Sequence, residues 1–159
     1  MPGFDAHIVQ ADSNIAFVKE IQKSGKFPDW LVTGCFYTAV HLIEADIFTK
    51  KTVYYKDSHV PVKPLSGINH SEDVRKHFPK ESLVPHSPHY LRKVIINTKG
   101  NNYSPDVADA YANLEEHSHV SRYGCYSNCE EFVEESIEGL NLIIEDFNRK
   151  HPDTTLPKV

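Results

Sequence analysis

The segment from Asp29 to Phe48, DWLVTGCFYTAVHLIEADIF, constrains the fold more than any other part of the chain. At about 100° per residue it is apolar around nearly all of a helix, which is typical of a helix packed inside a bundle. One narrow polar line interrupts this surface, and it consists of Trp30, Thr33, Tyr37, His41 and Glu44. A buried polar group without a partner costs about 1–3 kcal/mol. We therefore expect the line to form either an internal hydrogen-bond network or a site.

Helix start and stop signals divide the rest of the chain. The first helix is expected from Asp5 or Ala6 to Ser24, because Gly25 is a typical C-terminal stop. Its apolar stripe is expected to comprise Ile8, Val9, Ala16, Phe17 and Ile21. Pro28 prevents this helix from continuing, and Asp29 is expected to cap the next one.

Three further helices are expected in the second half of the chain. Ser87–Pro88 resembles a helix start, although Val94–Ile96 is β-branched enough to suit a strand equally well, and we favour the short helix. Ser104–Pro105 is a clearer start for a helix reaching Tyr123. Asn128 and Glu131 form a capping-box pattern before the last helix.

The sequence therefore predicts an all-α protein, a four-to-five-helix up-down bundle with a long loop insertion after the second helix. The loop is expected over residues 49–69, with a short extended piece at Val53–Tyr55, and a short helix over residues 70–78 follows it. Residues 1–150 are expected to form a single domain, and residues 151–159 a flexible tail.

Composition narrows the function classes. The net charge of −5 argues against a protein that coats duplex DNA, since such binding depends on many lysines and arginines. We find no uninterrupted apolar run long enough for a membrane span and no secretory signal pattern. The three cysteines are too few for a disulfide scaffold, so we expect a reduced, cytoplasmic protein without a membrane partner.

Three segments of the chain together resemble the HEPN domain family, which comprises small helical proteins of prokaryotic toxin, defence and nucleotide-handling systems. The segment DWLVTGCFYTAVHLIEADIF resembles the second helix of that family, HSEDVRKHF the opening of the following helix, and AYANLEEHSHVSRYGCY a later helix. The resemblance implies a helical bundle that often forms a homodimer, an association with RNA or nucleotides, and a possible cognate partner protein.

Many HEPN proteins are metal-independent ribonucleases that use an arginine followed four to six residues later by a histidine. This chain departs from that pattern, because none of its four arginines has a histidine at that distance. The nearest arrangement is His70 with Arg75, in reversed order, together with Arg122 on a later helix. The sequence therefore leaves open whether the protein is an endoribonuclease or a non-catalytic dimeric interaction or regulatory module.

The candidate catalytic residues are His70, Arg75 and His41. An arginine fork suits a phosphate, and a histidine can act as acid or base near neutral pH. The competing interpretation of His41 is an internal network with its neighbours Tyr37 and Glu44, and that of His70 and Arg75 is a solvated helix.

The candidate binding residues are Tyr37, Glu44, Arg122 and Tyr123. Arg122 is placed either to bind phosphate or simply to stabilise a helix C-terminus, with Tyr123 packed in the core. Tyr54 and Tyr55 suit base stacking, although burial against the bundle is the simpler expectation.

Metal binding is a weaker alternative. Glu116 and His119 have the Glu-x-x-His spacing of di-iron bundles, but the sequence has no second copy of this motif. A metal-dependent helical-bundle enzyme is therefore the least favoured of the three alternatives. We predict no metal and no cofactor.

Overall fold

The computed structural model describes residues 3–56, 60–62, 76, 87–124 and 129–159. Apart from Lys76, which is helical, the helix expected over residues 70–78 lies outside these described residues, as does most of the second half of the expected loop. His70 and Arg75 lie outside them as well.

Within the described residues the protein is an all-α bundle, as predicted. Five α-helices, one 3₁₀ helix and one small hairpin follow each other in the order α1 (Phe4–Ser24), α2 (Pro28–Thr49), β1 (Val53–Tyr55), β2 (Val60–Val62), α3 (Pro88–Asn97), α4 (Pro105–Tyr123), the 3₁₀ helix Cys129–Phe132 and α5 (Val133–Lys150).

Helix α2 is the centre of the bundle, because it packs against α1, α4 and α5. Its buried face includes large apolar side chains such as Phe36, Leu42 and Ile47, none of them more than 1% exposed. Helix α2 is long and apolar enough to cross a membrane, but 83% of its most apolar window is buried within the bundle. This burial is what the core helix of a soluble protein requires.

The buried face of α1 differs from the expected stripe. Its buried residues are His7, Ala11, Ile15 and Val18, whereas Val9 is 67% exposed and Phe17 45% exposed. The spacing of four, four and three residues places the buried set on one helix face. The predicted stripe was therefore right for Ile8 and Ile21, which pack against the core, and wrong for Val9, Ala16 and Phe17, which are exposed.

The start of α2 also differs from the expectation. Pro28 is the first helical residue, and Phe27 precedes it with φ 59° and ψ 55°, so Asp29 is not the capping residue. Proline suits the first turn because its fixed φ is already helical and its missing N–H has no intrahelical partner. Asp29 instead places a negative charge in the first turn, where the helix dipole favours it.

Helices α3 and α4 begin as the sequence predicts. The Ser87 hydroxyl accepts a hydrogen bond from the Tyr90 amide, and the Ser104 hydroxyl accepts one from the Val107 amide. The β-branched Val94–Ile96 segment is helical rather than extended, since Ile95 and Ile96 pack into the core on one side of a capped helix.

Helix α5 does not begin at the predicted capping box. The 3₁₀ helix Cys129–Phe132 comes first, and the α-helix begins at Val133 without a side-chain cap. Asn128, the predicted capping residue, lies outside the described part of the chain.

The tail makes specific contacts that the expectation of a flexible segment did not include. Leu156 is buried, and its backbone exchanges two hydrogen bonds with the side chain of Asn148. Val159 makes an equivalent pair with Asn141. The tail thereby lies along α5.

The hairpin confirms the extended piece expected at Val53–Tyr55. β1 and β2 pair antiparallel, with Val53 opposite Val62. The buried Asn101 side chain accepts a hydrogen bond from the Tyr54 amide and donates to the carbonyls of Tyr54 and Ile95. Asn101 therefore fastens β1 to the end of α3.

Candidate ligand-binding site

The polar line of α2 faces three other helices. Thr33 and Glu44 are buried, Tyr37 and His41 are half-buried, and Trp30 is 57% exposed. Trp30 thus departs from the expected buried line, because it lies in the first turn of α2 where the bundle opens to solvent. Polar partners from α4, α1 and α3 reach Tyr37, His41 and Glu44, respectively.

Glu44 forms a buried ion pair with Arg92 of α3. Arg92 donates from Nε at 2.8 Å and from Nη2 at 2.5 Å, both to Oε1 of Glu44. Both side chains are less than 10% exposed. Each charge therefore satisfies the other, as a pair taken out of water requires.

Arg92 also contacts His89, one helical turn earlier. Its Nη1 lies 3.2 Å from Nδ1 of His89. The His89 ring packs against Phe36 with 5.2 Å between ring centroids. Burial lowers the pKa of His89, and the nearby charges of Arg92 and Arg122 lower it further.

His41 pairs with a histidine of α1. Nδ1 of His41 lies 3.0 Å from Nδ1 of His7, so one ring donates and the other accepts. Burial lowers the pKa of both rings, and Arg92 adds to the effect. The pair therefore stays uncharged near neutral pH and links α1 to α2.

Arg122, at the end of α4, lies between two tyrosines. Its Nη1 donates to the Tyr37 hydroxyl at 3.1 Å, and its Nε donates to the Ser118 carbonyl at 3.1 Å. The guanidinium carbon lies 5.7 Å from the centroid of the Tyr37 ring and 5.3 Å from that of Tyr123. Tyr123 is 70% exposed, so the expectation that it packs in the core was wrong.

Arg122 differs from the other described arginines in its charge balance. Arg92 pairs with Glu44, and Arg149 pairs with Asp146. The structure gives Arg122 no carboxylate partner among the residues it describes, and Glu44, the anionic partner that the sequence suggested for it, is taken by Arg92. Its partners are a phenol, a carbonyl and two aromatic rings.

The structure thus joins several of the predicted site residues. Tyr37, Arg122 and Tyr123 are in contact, while His41 and Glu44 lie further along the same face of α2. His70 and Arg75 belong to the undescribed part of the chain, so their place relative to this group is still a prediction.

Sequence reasoning missed three members of the cluster, which are His7, His89 and Arg92. For His7, the helical spacing that it shares with Ala11, Ile15 and Val18 could have indicated its burial. Arg92 and His89 share one face of the helix that Ser87 caps. A buried Glu44 also needs a cation, but the sequence alone does not say which of the arginines supplies it.

A second polar cluster lies near the C-terminal end of α2 and involves none of the predicted residues. Asp46 is buried and accepts hydrogen bonds from the Tyr103 hydroxyl at 2.5 Å and from Nε2 of His151 at 2.9 Å. Lys50 adds an ion pair at 3.1 Å. Because it ties the tail and the loop before α4 to α2, we interpret it as structural.

The metal alternative gains no ligand set from the geometry. Glu116 and His119 are both exposed on α4. Within the part of the chain that the structure describes, no three His, Cys, Asp or Glu side chains are grouped to hold a metal ion.

Tyr55 is fully buried, which agrees with the simpler expectation that it packs against the bundle.

No family model matches the sequence, and neither a curated protein nor a solved structure is significantly similar to it. The HEPN resemblance therefore stays a prediction from the motifs alone.

Proposed function

We propose that this protein binds RNA or a nucleotide, with Arg122 as the ligand of a phosphate group. The observation that carries the proposal is that Arg122 has no described carboxylate partner and is held in place by Tyr37. A guanidinium offers five donors in a planar fork that matches phosphate oxygens. A phosphate at this position supplies the anion that Arg122 lacks among the described residues.

Tyr123 supports a nucleic-acid ligand over inorganic phosphate. Its ring is 70% exposed and lies next to the arginine. Stacking of a base on an exposed aromatic ring contributes about 1–3 kcal/mol in single-strand binding. A phosphate on Arg122 and a base on Tyr123 fit one nucleotide unit.

The overall charge of −5 limits this contact to a local one. Binding a short single strand of RNA requires fewer Lys and Arg contacts to phosphates than binding along the backbone of a duplex. We therefore favour single-stranded RNA or a free nucleotide over double-stranded nucleic acid.

We further propose that the protein is a HEPN-like protein of the reduced cytoplasm, a diverged member in which cleavage depends on His70 and Arg75. Cys35 is buried, and burial raises the pKa of its thiol to about 12, which makes the thiol unreactive. A metal-independent cleavage needs a base, an acid and a cation for the phosphate. Arg122 is our candidate for the cation.

Binding is tested by fluorescence anisotropy with a labelled single-stranded oligoribonucleotide. We expect Arg122→Gln to weaken binding at least tenfold and to reduce the salt slope by about 0.7, the value for one lost phosphate contact. Arg149→Gln is the matched control, because Arg149 is exposed and already paired with Asp146. Equal loss in both variants, or no binding by the unmodified protein, contradicts the proposal.

Cleavage is tested by incubating the same RNA with and without a chelator. Cleavage that survives the chelator and is lost in His70→Ala or Arg75→Ala identifies a metal-independent ribonuclease. Binding without cleavage identifies a non-catalytic module.

A second candidate function is a protein-interaction module, and a different surface favours it. Phe27 and Trp30 are 60% and 57% exposed and, with Phe17, line an apolar groove of about 580 Å³ between α1 and α2. Exposed apolar patches of this kind often mark interfaces. We propose a homodimer through this face, and a cognate protein partner is the alternative.

The homodimer is tested by light scattering over a range of protein concentrations. We expect a dimer that Trp30→Ser converts to a monomer. Val9→Ser is the control, since Val9 is equally exposed on α1 but does not line the groove. A monomer at every concentration contradicts the homodimer.

A further inference from the structure

His89 lies beside the buried ion pair, and a chain of ring contacts connects it to Tyr37. Its Nδ1 is 3.2 Å from Nη1 of Arg92, and its ring packs on Phe36. Phe36 in turn contacts the ring of Tyr37, the residue that holds Arg122. The positive charge of Arg122 contributes to lowering the pKa of the imidazole, after burial and the charge of Arg92.

The contact with Arg92 fixes the tautomer of His89. A guanidinium only donates hydrogen bonds, so Nδ1 of His89 must be the acceptor and must carry no proton. The proton of the neutral ring is therefore on Nε2, which is left as a donor. His89 in this state cannot take a proton at Nδ1 unless the contact with Arg92 breaks.

The ion pair makes this arrangement possible without adding net charge. Arg92 is neutralised by the carboxylate of Glu44, which accepts two of its hydrogen bonds. The other charged groups that act on His89 are Arg122 and Glu115 of α4. Glu115 is itself paired with Lys93 at 3.1 Å, so within the described part of the chain Arg122 is the cation of this group that has no carboxylate partner.

We propose that His89 is a second binding residue for the ligand of Arg122, which it contacts as a neutral donor through Nε2–H, and that Glu44 and Arg92 act as positioning residues for it. This inference rests on the proposed function, because it assumes an anion at Arg122. It assigns the buried ion pair a role in binding beyond the packing of α3 against α2.

The tautomer is tested first, on the unmodified protein and without any ligand. Long-range ¹H–¹⁵N correlation spectra of histidine-labelled protein distinguish the two neutral tautomers. We expect the Nε2–H form for the resonance that disappears in His89→Gln, and a shift of that resonance when the oligoribonucleotide is added. An Nδ1–H form, or a resonance whose chemical shift does not change when the oligoribonucleotide is added, overturns the inference.

Two substitutions at His89 then separate binding from structure. The amide of His89→Gln can accept from Arg92 and donate to the ligand, so we expect its affinity for the oligoribonucleotide to stay within about threefold. His89→Leu keeps an apolar contact with Phe36 but loses the donor, and we expect a loss of about tenfold or more. Circular dichroism melting checks that both variants fold.

The pH dependence of RNA binding distinguishes a positioning role of Arg92 from a purely structural one, which would leave this dependence unchanged. Between pH 8 and 6 we expect flat binding by the unmodified protein, because His89 stays neutral. In Arg92→Met the guanidinium that occupies Nδ1 and lowers the pKa of His89 is gone, while the carboxylate of Glu44 still raises that pKa, so binding should strengthen as the pH falls. A flat profile in a folded Arg92→Met variant contradicts the positioning role.

The outcomes distinguish this inference from the function on which it rests. If Arg122→Gln abolishes binding while His89→Leu binds like the unmodified protein, RNA binding stands and the inference fails. If the unmodified protein does not bind the oligoribonucleotide at all, both fail.

Discussion

Arg92 donates two hydrogen bonds to a single oxygen of Glu44, at 2.8 and 2.5 Å, across the interface between α3 and α2. The helices that carry them are separated by the hairpin and by a long stretch of chain. A buried charge pair of this kind stabilises the fold only while both members are present, since either charge alone is costly in the interior.

This relationship predicts a strongly non-additive double-mutant cycle. Glu44→Leu and Arg92→Met should each lower the free energy of unfolding by about 3–5 kcal/mol, because each removes one charge of the buried ion pair. The double variant should recover much of that loss, because two apolar side chains replace the pair. Urea unfolding at pH 7 measures all three.

The control for that cycle is the ion pair between Lys93 of α3 and Glu115 of α4, which is partly exposed. Lys93→Met should change the free energy of unfolding by less than about 1 kcal/mol. Additive effects of the Glu44 and Arg92 substitutions contradict the interpretation of an interdependent pair.

The α2 half of this cluster could be predicted from the sequence, but its partners could not. Periodicity alone placed Tyr37, His41 and Glu44 on one face of a buried helix, and the structure brings polar partners to all three. Which partners they are depends on how α1 and α3 dock, and no local pattern encodes that. Arg92 therefore stood in the sequence as one arginine of four, without a reason to prefer it to Arg122.

The histidines predict a loss of stability in mild acid. Burial lowers the pKa of His7, His41 and His89 in the folded protein, with Arg92 contributing at each. As the pH falls through about 6.5, the unfolded chain binds protons that the folded protein resists, so the free energy of unfolding decreases. Above that pH all three are neutral in both states, and the effect vanishes.

Urea unfolding from pH 7.5 down to pH 5 measures this slope, which is at most about 1.4 kcal/mol per pH unit for each proton. His7→Gln should make the slope shallower. His119→Gln is the matched control, because His119 is exposed on α4 and should leave the slope unchanged. A stability that is flat across this range contradicts the prediction.

At two glycines inside helices, we expect substitution by alanine to change the free energy of unfolding in opposite directions. A Cβ at Gly34 of α2 would lie 2.8 Å from Cγ2 of Val18, which is fully buried on α1. A Cβ at Gly139 of α5 would meet its nearest neighbour, the Ala110 Cβ, at 3.6 Å, an ordinary contact.

Gly34→Ala should therefore lower the free energy of unfolding by about 1–3 kcal/mol through overpacking. Gly139→Ala should raise it by about 0.5–1 kcal/mol, because alanine loses less backbone entropy in a helix. Thermal melting of the two variants side by side tests both. A stabilising Gly34→Ala would show that α1 does not pack closely on α2.

The fold was more predictable than the packing of its first helix. Capping serines and prolines at Ser87 and Ser104 fixed two helix starts, because their hydrogen bonds are local. The buried face of α1 was predicted only in part, because the packing of α1 against α2 buries Val18 and leaves Val9 and Phe17 exposed. Local chemistry determines where helices begin, and partners distant in sequence determine which face is buried.

Asp46 predicts a second, more acidic transition. Burial raises the pKa of its carboxyl group, but Lys50, Lys150 and the hydrogen bonds from Tyr103 and His151 outweigh it, so the pKa is lowered overall. The stabilisation is complete above the unfolded value of 3.8 and is lost as the pH falls below it. Asp46→Asn should therefore destabilise the protein at pH 7 and flatten the dependence between pH 4.5 and 2.5.

The matched control is Asp153→Asn, since Asp153 is exposed in the tail beside His151. We expect it to match the unmodified protein at every pH. The two substitutions are compared by urea unfolding at fixed ionic strength, because salt screens exposed charges far more than buried ones. An Asp46→Asn variant that keeps the acid slope of the unmodified protein would place the responsible carboxylate elsewhere and would reduce the cluster to neutral hydrogen bonds that tie the tail to α2.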